Sequence, residues 1–311
     1  MPTADLDALL SQAKDYAAQS YARNTLIAYA ADWKHFTAWC VEHGRRELPA
    51  APETIICYLV ALAETATVAT LDRRLSSISF YHTQGRYALP TKDPEVLRTM
   101  RGIRRAKGVA PAVKTPILPA LLGRMIAVLP DTLRGRRDRA VLLVGFAGAF
   151  RRGELVALTI ADVEFVDAGL VVTLRRSKTD QEGAGRRVGI PTGQHAATCP
   201  VAALRAWLTH AAITKGPLFR VIDRYDRAGT HAMSTLSVAR VVKHAVAAVG
   251  LDATQFSGHS LRAGLVTAAA VAGVEERIIM RQTGHTNSAM LRRYIREGEL
   301  FRENAAAQVG L

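Results

Sequence analysis

Hydrophobic positions recur at three- and four-residue steps through the first third of the chain, the period of one face of a helix. From Asn24 onward, Leu26, Tyr29, Ala30, Trp33, Phe36 and Cys40 mark a helix that Asn24-Thr25 is suited to cap. It should end at His43-Gly44, where glycine suits a left-handed cap. Pro52-Glu53-Thr54 opens a second helix through ICYLVALAE, and ATLDRRLSSISFYHTQG reads as a third. PEVLRTMRGIRRAK predicts a fourth, with Val96, Leu97, Met100 and Ile103 on one stripe. Its other positions include Arg98, Arg101, Arg104, Arg105 and Lys107, with no acid after Glu95. Such a face is either solvated or laid along a phosphate backbone.

The period lapses in GVAPAVKTPILP, which reads as a linker over residues 108–116 between a helical domain, 1–107, and a second domain, 117–311. Helices follow through LLGRMIAVL and RDRAVLLVGFAGAF. The pattern then shortens to period two in VEFVDAGLVVTLRRSKTDQEGAGRRVGIP, which predicts two or three short strands with turns at Asp167-Ala168-Gly169 and around Glu182-Gly183-Ala184-Gly185. Helices resume in VAALRAWLTHA and STLSVARVVKHAVAAVG. A further helix runs through Leu261, Leu265, Val266 and a run of alanines, bounded by Ser257 and Gly273, and a short one in VEERIIMRQT is closed by Gly284. The expected fold is mainly α with a small antiparallel β-sheet in the second domain.

Charge narrows the partner. The chain has 311 residues, 49% of them hydrophobic, and carries 41 Lys and Arg against 27 Asp and Glu, a net charge of +14. A folded protein of that balance favours a polyanion, nucleic acid above all, through phosphate neutralisation and counterion release. Cys40, Cys57 and Cys199 are far apart, with no CxxC pair, and read as apolar residues. The sequence shows no GxxxxGK loop and no acidic cluster of the two-metal kind, so neither a metal nor a cofactor is expected. MPTADLDALLSQAKDY has acids where a signal peptide would be basic and then apolar, and no uncharged apolar run is long enough to span a membrane. A soluble, cytoplasmic, DNA-associated protein is expected.

Several polar residues invite a chemical reading. Arg151 follows an apolar helix in GAFRRGEL, with Glu154 three residues on and able to orient it. Lys178 falls in the tip region of the predicted hairpin. In FSGHSLRAG, His259 and Arg262 share one face near the positive amino-terminal end of a helix, a place that suits a phosphate. His285 lies in a Gly-His turn, and Tyr294 follows in GHTNSAMLRRYIRE. Taken singly, each has an ordinary alternative: a surface ion pair, an exposed loop lysine, a structural His-Arg pair, a core tyrosine.

The whole series Arg151, Lys178, His259-x-x-Arg262, His285, Tyr294 resembles, in order, residue type and spacing, the tyrosine recombinase (phage integrase) family. GAFRRGEL is similar to that family's first-arginine box, SKT to its hairpin lysine, SGHSLRAG to its second box and TGHTNSAMLRRYI to its histidine-to-tyrosine box. SGHS-x-R-x-G and the closing YIR resemble its Cre-like members most, which, like this chain with Ala263, lack a further histidine after the second-box arginine. The resemblance implies a two-domain, C-shaped DNA clamp whose residues 1–107 are a core-binding domain and 117–311 a catalytic domain. It implies that Tyr294 attacks a DNA phosphodiester, that Arg151 and Arg262 hold the non-bridging oxygens, that His285 donates a further hydrogen bond, that His259 accepts the tyrosine proton and that Lys178 protonates the leaving 5′-oxygen.

It also implies duplex DNA with an inverted-repeat site as partner, a homodimer on one site and a homotetramer in the synapse. For DNA contacts the candidates are Arg73, Arg74 and the basic face from Arg98 to Lys107 in the first domain. In the second they are Thr235, Ser237, Arg240 and Lys243 on a helix placed to enter a major groove. Two alternatives stay open: a type IB topoisomerase, which His259 disfavours, and a DNA-binding protein without catalysis.

Overall fold

The computed structural model of the chain describes residues 20–108, 114–175 and 185–285, with positions 6, 8, 9, 12, 13 and 16 of the amino-terminal stretch. The chain divides into two compact units, Met1–Ala112 and Val113–Leu311.

In the first unit, helices α1 (Arg23–Glu42), α2 (Pro52–Ala63), α3 (Val68–Gln84) and α4 (Pro94–Lys107) surround one apolar core. Phe36, Cys40, Ile55, Tyr58, Leu59, Leu71, Ile78, Val96 and Met100 supply it, all at most 1% exposed. Each such large side chain contributes about 1.5–3 kcal/mol by leaving water. Trp33 stacks on Tyr81 with centroids 4.4 Å apart. The cap at the start of α1 differs from the expected one: the N-cap is Ala22, whose side chain makes no bond, and Arg23 already belongs to the helix. Thr67 caps α3 by accepting from the Thr70 amide. Leu97 departs from the expected stripe of α4 and is 48% exposed.

His82 ties α3 to the loop before α2. Its Nε2 accepts from the Ala50 amide at 3.0 Å, so the ring proton sits on Nδ1 and is donated to the Ile78 carbonyl at 2.8 Å. Burial holds this imidazole below its ordinary pKa.

The second unit begins at once on firm backbone contacts. The Thr115 amide donates to the Gln255 carbonyl, Ile117 to that of Ser260, and Lys114 Nζ to that of Thr254. The carboxy-terminal part of the expected linker, from Lys114 to Pro116, is therefore part of this unit's structure. Its helices are α5 (Pro119–Ala127), α6 (Leu133–Ala147), α7 (Arg152–Ala157), α8 (Pro200–His210), α9 (Thr235–Ala248), α10 (His259–Val271) and α11 (Glu276–Thr283). Every residue of α6 from Ala140 to Gly145 is buried, as befits a helix apolar all round, and α5, α8, α9 and α10 pack about it. Trp207 of α8 is fully buried and donates Nε1–H to the Leu218 carbonyl at 2.8 Å.

An antiparallel sheet of β1 (Val163–Val166), β2 (Gly169–Leu174) and β3 (Arg186–Pro191) stands in that order, with Val172 opposite both Val163 and Val188. Leu170, Val172 and Leu174 face the core in strict alternation. A second hairpin, β4 (Arg220–Ile222) and β5 (Ala228–Ala232), has no such alternation and was not expected. Its turn is built by Asp223, which accepts the amides of Tyr225 and Arg227, while Asp226 accepts those of Leu133 and Arg134 and so caps α6. Among the described residues, no helix is long and apolar enough to cross a membrane.

Candidate active site

Arg151 stands between two helices rather than at the end of one. After α6 the chain turns through Ala149, a non-glycine residue at φ +49°, and Arg151 becomes the N-cap of α7. Left-handed backbone at alanine is disfavoured by about 1–3 kcal/mol. Here it is matched by a bond: Arg262 Nη1 donates to the Ala149 carbonyl at 2.7 Å. Glu154, at the third position of α7, accepts the Arg151 amide at 2.9 Å and Arg151 Nη1 at 2.7 Å. One carboxylate thus caps a helix and fixes a guanidinium, and its own side chain is only 3% exposed.

Helix α10 begins at His259, whose amide donates to Ser257 Oγ, and carries Arg262 one turn on, 1% exposed. Gly264 on the same helix has no room for a side chain, because a Cβ would lie 1.9 Å from the Ile117 carbonyl oxygen. The glycine of the SGHSLRAG segment lets the entering strand of backbone lie against α10.

Helix α11 ends in Gly284, at φ +66° and ψ +40°, whose amide donates to the Met280 carbonyl at 2.7 Å. That left-handed cap turns His285 back towards α10, where Arg262 Nη2 donates to His285 Nε2 at 3.0 Å. Since a guanidinium nitrogen only donates, Nε2 is an acceptor in this structure, whereas the family resemblance implies that His285 donates to a bound phosphate. On the other side of the ring Nδ1 lies 2.8 Å from Thr283 Oγ1, and that hydroxyl donates to the Ile279 carbonyl at 2.7 Å.

Two residues that the sequence reading passed over hold this turn in place. Gln282 donates Nε2–H to the carbonyls of Ala147 and Gly189, joining α11 to α6 and β3. Arg186, the first residue of β3, donates to the Gln282 carbonyl at 2.8 Å, lies 3.8 Å from Glu154 and packs against Gly284. Its Nε and Nη2 are buried without a hydrogen-bond partner among the described residues. An arginine opening a strand gives no warning of this in one sequence.

The electrostatics are those of a site built for an anion. Desolvation first, then Arg262, Arg151, His259 and Arg186, push the His285 pKa down to about 4. His259 is also held below its ordinary range, by desolvation around its ring and then by Arg262, Arg151 and Arg152. Burial followed by Arg151 lowers Arg186 as well, against the opposing pull of Glu154. Arg151, Arg186, His259, Arg262 and His285 therefore share one electropositive neighbourhood, in which Glu154 supplies a carboxylate among the described residues. Both histidines are neutral at pH 7, each with one ring nitrogen bearing N–H and the other a lone pair, which suits proton transfer. Lys178 and Tyr294 lie outside the described residues. Among the described residues no group of histidine, cysteine, aspartate and glutamate could hold a metal ion.

The candidate DNA contacts divide. Arg73 gives Asp32 two bonds, at 2.6 and 3.0 Å, and Arg74 lies over Tyr58 with Nη1 3.2 Å from its hydroxyl. Arg74 is enclosed by the helices, so its guanidinium serves the fold of the first unit. Arg104 pairs with Asp72, Arg98 with Glu95, and Lys107 with the Ala63 and Glu64 carbonyls. Arg101 and Arg105 are exposed, as are Thr235, Arg240 and Lys243 on α9, whereas Ser237 is half-buried with its amide bonded to the Ser234 cap. The β4–β5 turn adds Tyr225, 62% exposed, with the guanidiniums of Arg224 and Arg227 over its ring.

A mainly helical unit with a three-stranded antiparallel sheet, which gathers Arg151, Arg262, His259 and His285 in one electropositive place, fits the tyrosine recombinase class. The chain belongs to the phage integrase family, which it matches over residues 121–299. It is 42% identical to the integrase/recombinase xerD homolog of Selenomonas ruminantium, over 94% of this chain and 87% of that one. To recombinase Cre of Escherichia phage P1 it is 25% identical, over 89% and 85%. In fold it is similar to the λ integrase dimer bound to a COC′ core site, with a TM-score of 0.59 and 18% identity over 92% of this chain and 93% of that one. It is also similar to XerH recombinase bound to a palindromic difH substrate, with a TM-score of 0.58 and 16% identity over 82% and 70%. The enzyme is thus a site-specific recombinase.

Proposed function

We propose that the chain cuts and rejoins duplex DNA through a 3′-phosphotyrosyl intermediate on Tyr294, and exchanges strands between two sites through a Holliday junction. The observation that carries this reading is the convergence of Arg151, His259 and Arg262 about His285, with Arg151 held by the carboxylate of Glu154. Phosphoryl transfer is catalysed mainly by positioning and by stabilising charge on the non-bridging oxygens. Arg151 and Arg262 are rigid forks suited to those oxygens. His259, neutral and with an exposed edge, accepts the phenolic proton of Tyr294, and Lys178 supplies one to the departing 5′-oxygen. The phosphotyrosyl ester keeps the free energy of the broken diester, so rejoining uses neither ATP nor a metal.

Residues 117–311 then act as the catalytic domain and 1–107 as the core-binding domain, with Arg101 and Arg105 on the backbone and Thr235, Arg240 and Lys243 near base edges. Solved relatives bound to DNA support duplex DNA as the partner. Exchange between two duplexes needs four cleavages, hence two protomers on an inverted-repeat site and four in the synapse.

The test is a suicide duplex carrying an inverted-repeat site and a nick beside the cleavage point, incubated with wild type and Tyr294→Phe in the presence of chelator and resolved on a denaturing gel. A covalent adduct in the wild type alone supports the reading. Efficient relaxation of plasmids lacking the site turns it towards a topoisomerase, and tight binding without any adduct towards a DNA-binding protein.

A further inference from the structure

Hydrogen-bond polarity runs in one direction across His285. Arg262 Nη2 donates to Nε2 at 3.0 Å, so Nε2 carries the lone pair. Thr283 Oγ1 lies 2.8 Å from Nδ1 and 2.7 Å from the Ile279 carbonyl, which only accepts. The hydroxyl has one proton; given to Ile279, it leaves an oxygen lone pair for Nδ1–H. Both ends of the chain of bonds thus agree on the same tautomer. Thr283 is fully buried, and the family resemblance assigns it no role.

We infer that Thr283 is a positioning residue: it holds His285 with its proton on Nδ1, so that Nε2 is the atom presented to Arg262 and, in the DNA complex, to the reacting phosphate. This rests on the reading of the cluster as the phosphate site. To donate to a phosphate oxygen, Nε2 must then take up a second proton from solvent, because moving the existing one would force Thr283 to abandon the Ile279 carbonyl. A buried carbonyl left without its donor is unfavourable. Among the described residues, the groups whose charges act on the ring are Arg262 and His259 from α10, Arg151 before α7 and Arg186 on β3, all but His259 cationic. They keep the imidazole neutral until an anion offsets them. Thr283 accepts from Nδ1–H in both charge states, so the ring need not turn as it gains the proton.

Long-range proton–nitrogen correlation spectra of full-length protein labelled at histidine, recorded at pH 7.5 without DNA and assigned with His285→Gln, read the tautomer directly. Suicide-substrate cleavage is followed in parallel. Wild type and Thr283→Ser are expected to show His285 as one Nδ1–H tautomer with a slowly exchanging ring proton. The isosteric Thr283→Val is expected to lose that protection and to form adduct about tenfold more slowly, the loss of one hydrogen bond. The inference is overturned by an Nε2–H or doubly protonated His285 in the wild type, or by Thr283→Val that keeps the protected proton or cleaves at the wild-type rate. Cleavage unchanged in His285→Gln would instead remove the phosphate-site reading, and the tautomer would still be decided by the spectrum.

Discussion

Replacing Glu154 by glutamine changes one oxygen to an amide and leaves the shape alone, so its effect isolates the carboxylate. In the native site the two oxygens accept the Arg151 amide at 2.9 Å and Arg151 Nη1 at 2.7 Å, and Arg186 Nη2 stands 3.8 Å away. Glutamine can accept only one of these, and its NH2 then faces a donor. The loss is one charge-assisted hydrogen bond, about 1.5–3 kcal/mol, together with part of the neutralisation of a guanidinium that is already desolvated. A total of about 2–4 kcal/mol is expected, enough to lower Tm by roughly 4–10 °C. Because Arg151 also loses its orientation towards the phosphate, adduct formation should fall by about 100-fold. Calorimetry and single-turnover cleavage of the nicked substrate measure the two effects. Glu154→Gln with an unchanged Tm and cleavage within a factor of two of wild type would refute the reasoning, whereas a lower Tm alone would confine Glu154 to a structural role.

Gly264→Ala should weaken the second unit by about 1–3 kcal/mol, because its Cβ would lie 1.9 Å from the Ile117 carbonyl oxygen and backbone must move; denaturant midpoints and proteolysis near Pro116 check this. If Arg101 and Arg105 each meet a phosphate, replacing both by alanine should reduce the slope of log affinity against log salt by about 2, while Arg74→Met leaves the slope unchanged and destabilises the fold. His82 is neutral in the fold and protonates in the unfolded chain near pH ~6.5. Its depressed pKa means that stability is intact above that pH and declines as pH falls towards the folded value. Peptide-resolved hydrogen exchange over α1 to α4, equally protected at pH 7 and 5 after correction for intrinsic rates, would contradict this.

Much of this protein was readable without coordinates. Resemblance to the family's boxes singled out Arg151, His259, Arg262 and His285, and spacing added Glu154; caps and turns hold them locally, Arg151 as the N-cap of α7 three residues before Glu154, His259 and Arg262 three apart on α10, and His285 just past a left-handed glycine after α11. The strands of the first sheet were legible for the same reason, since Leu170, Val172 and Leu174 alternate. The second hairpin was not, because its register depends on Asp223 and Asp226 bonding across the turn and to α6 rather than on an apolar pattern. Nor could composition tell which arginines are free for DNA: Arg74 and Arg101 look alike in sequence, and only packing places one over Tyr58 and the other in solvent.

What the amino-acid sequence by itself determined is the family, through motifs that resemble its boxes, and, through local periodicity, the order of secondary structure apart from the second hairpin; it also named the candidate reacting groups. Tertiary structure decided what those groups are doing. The tautomer of His285 depends on Arg262 and Thr283 at opposite sides of one ring, and the orientation of Arg151 on a carboxylate shared with Arg186, 32 residues beyond Glu154 and on another element. Proton positions and charge states follow from which donors and acceptors meet in a desolvated place, and residues distant in sequence meet only when the chain is folded.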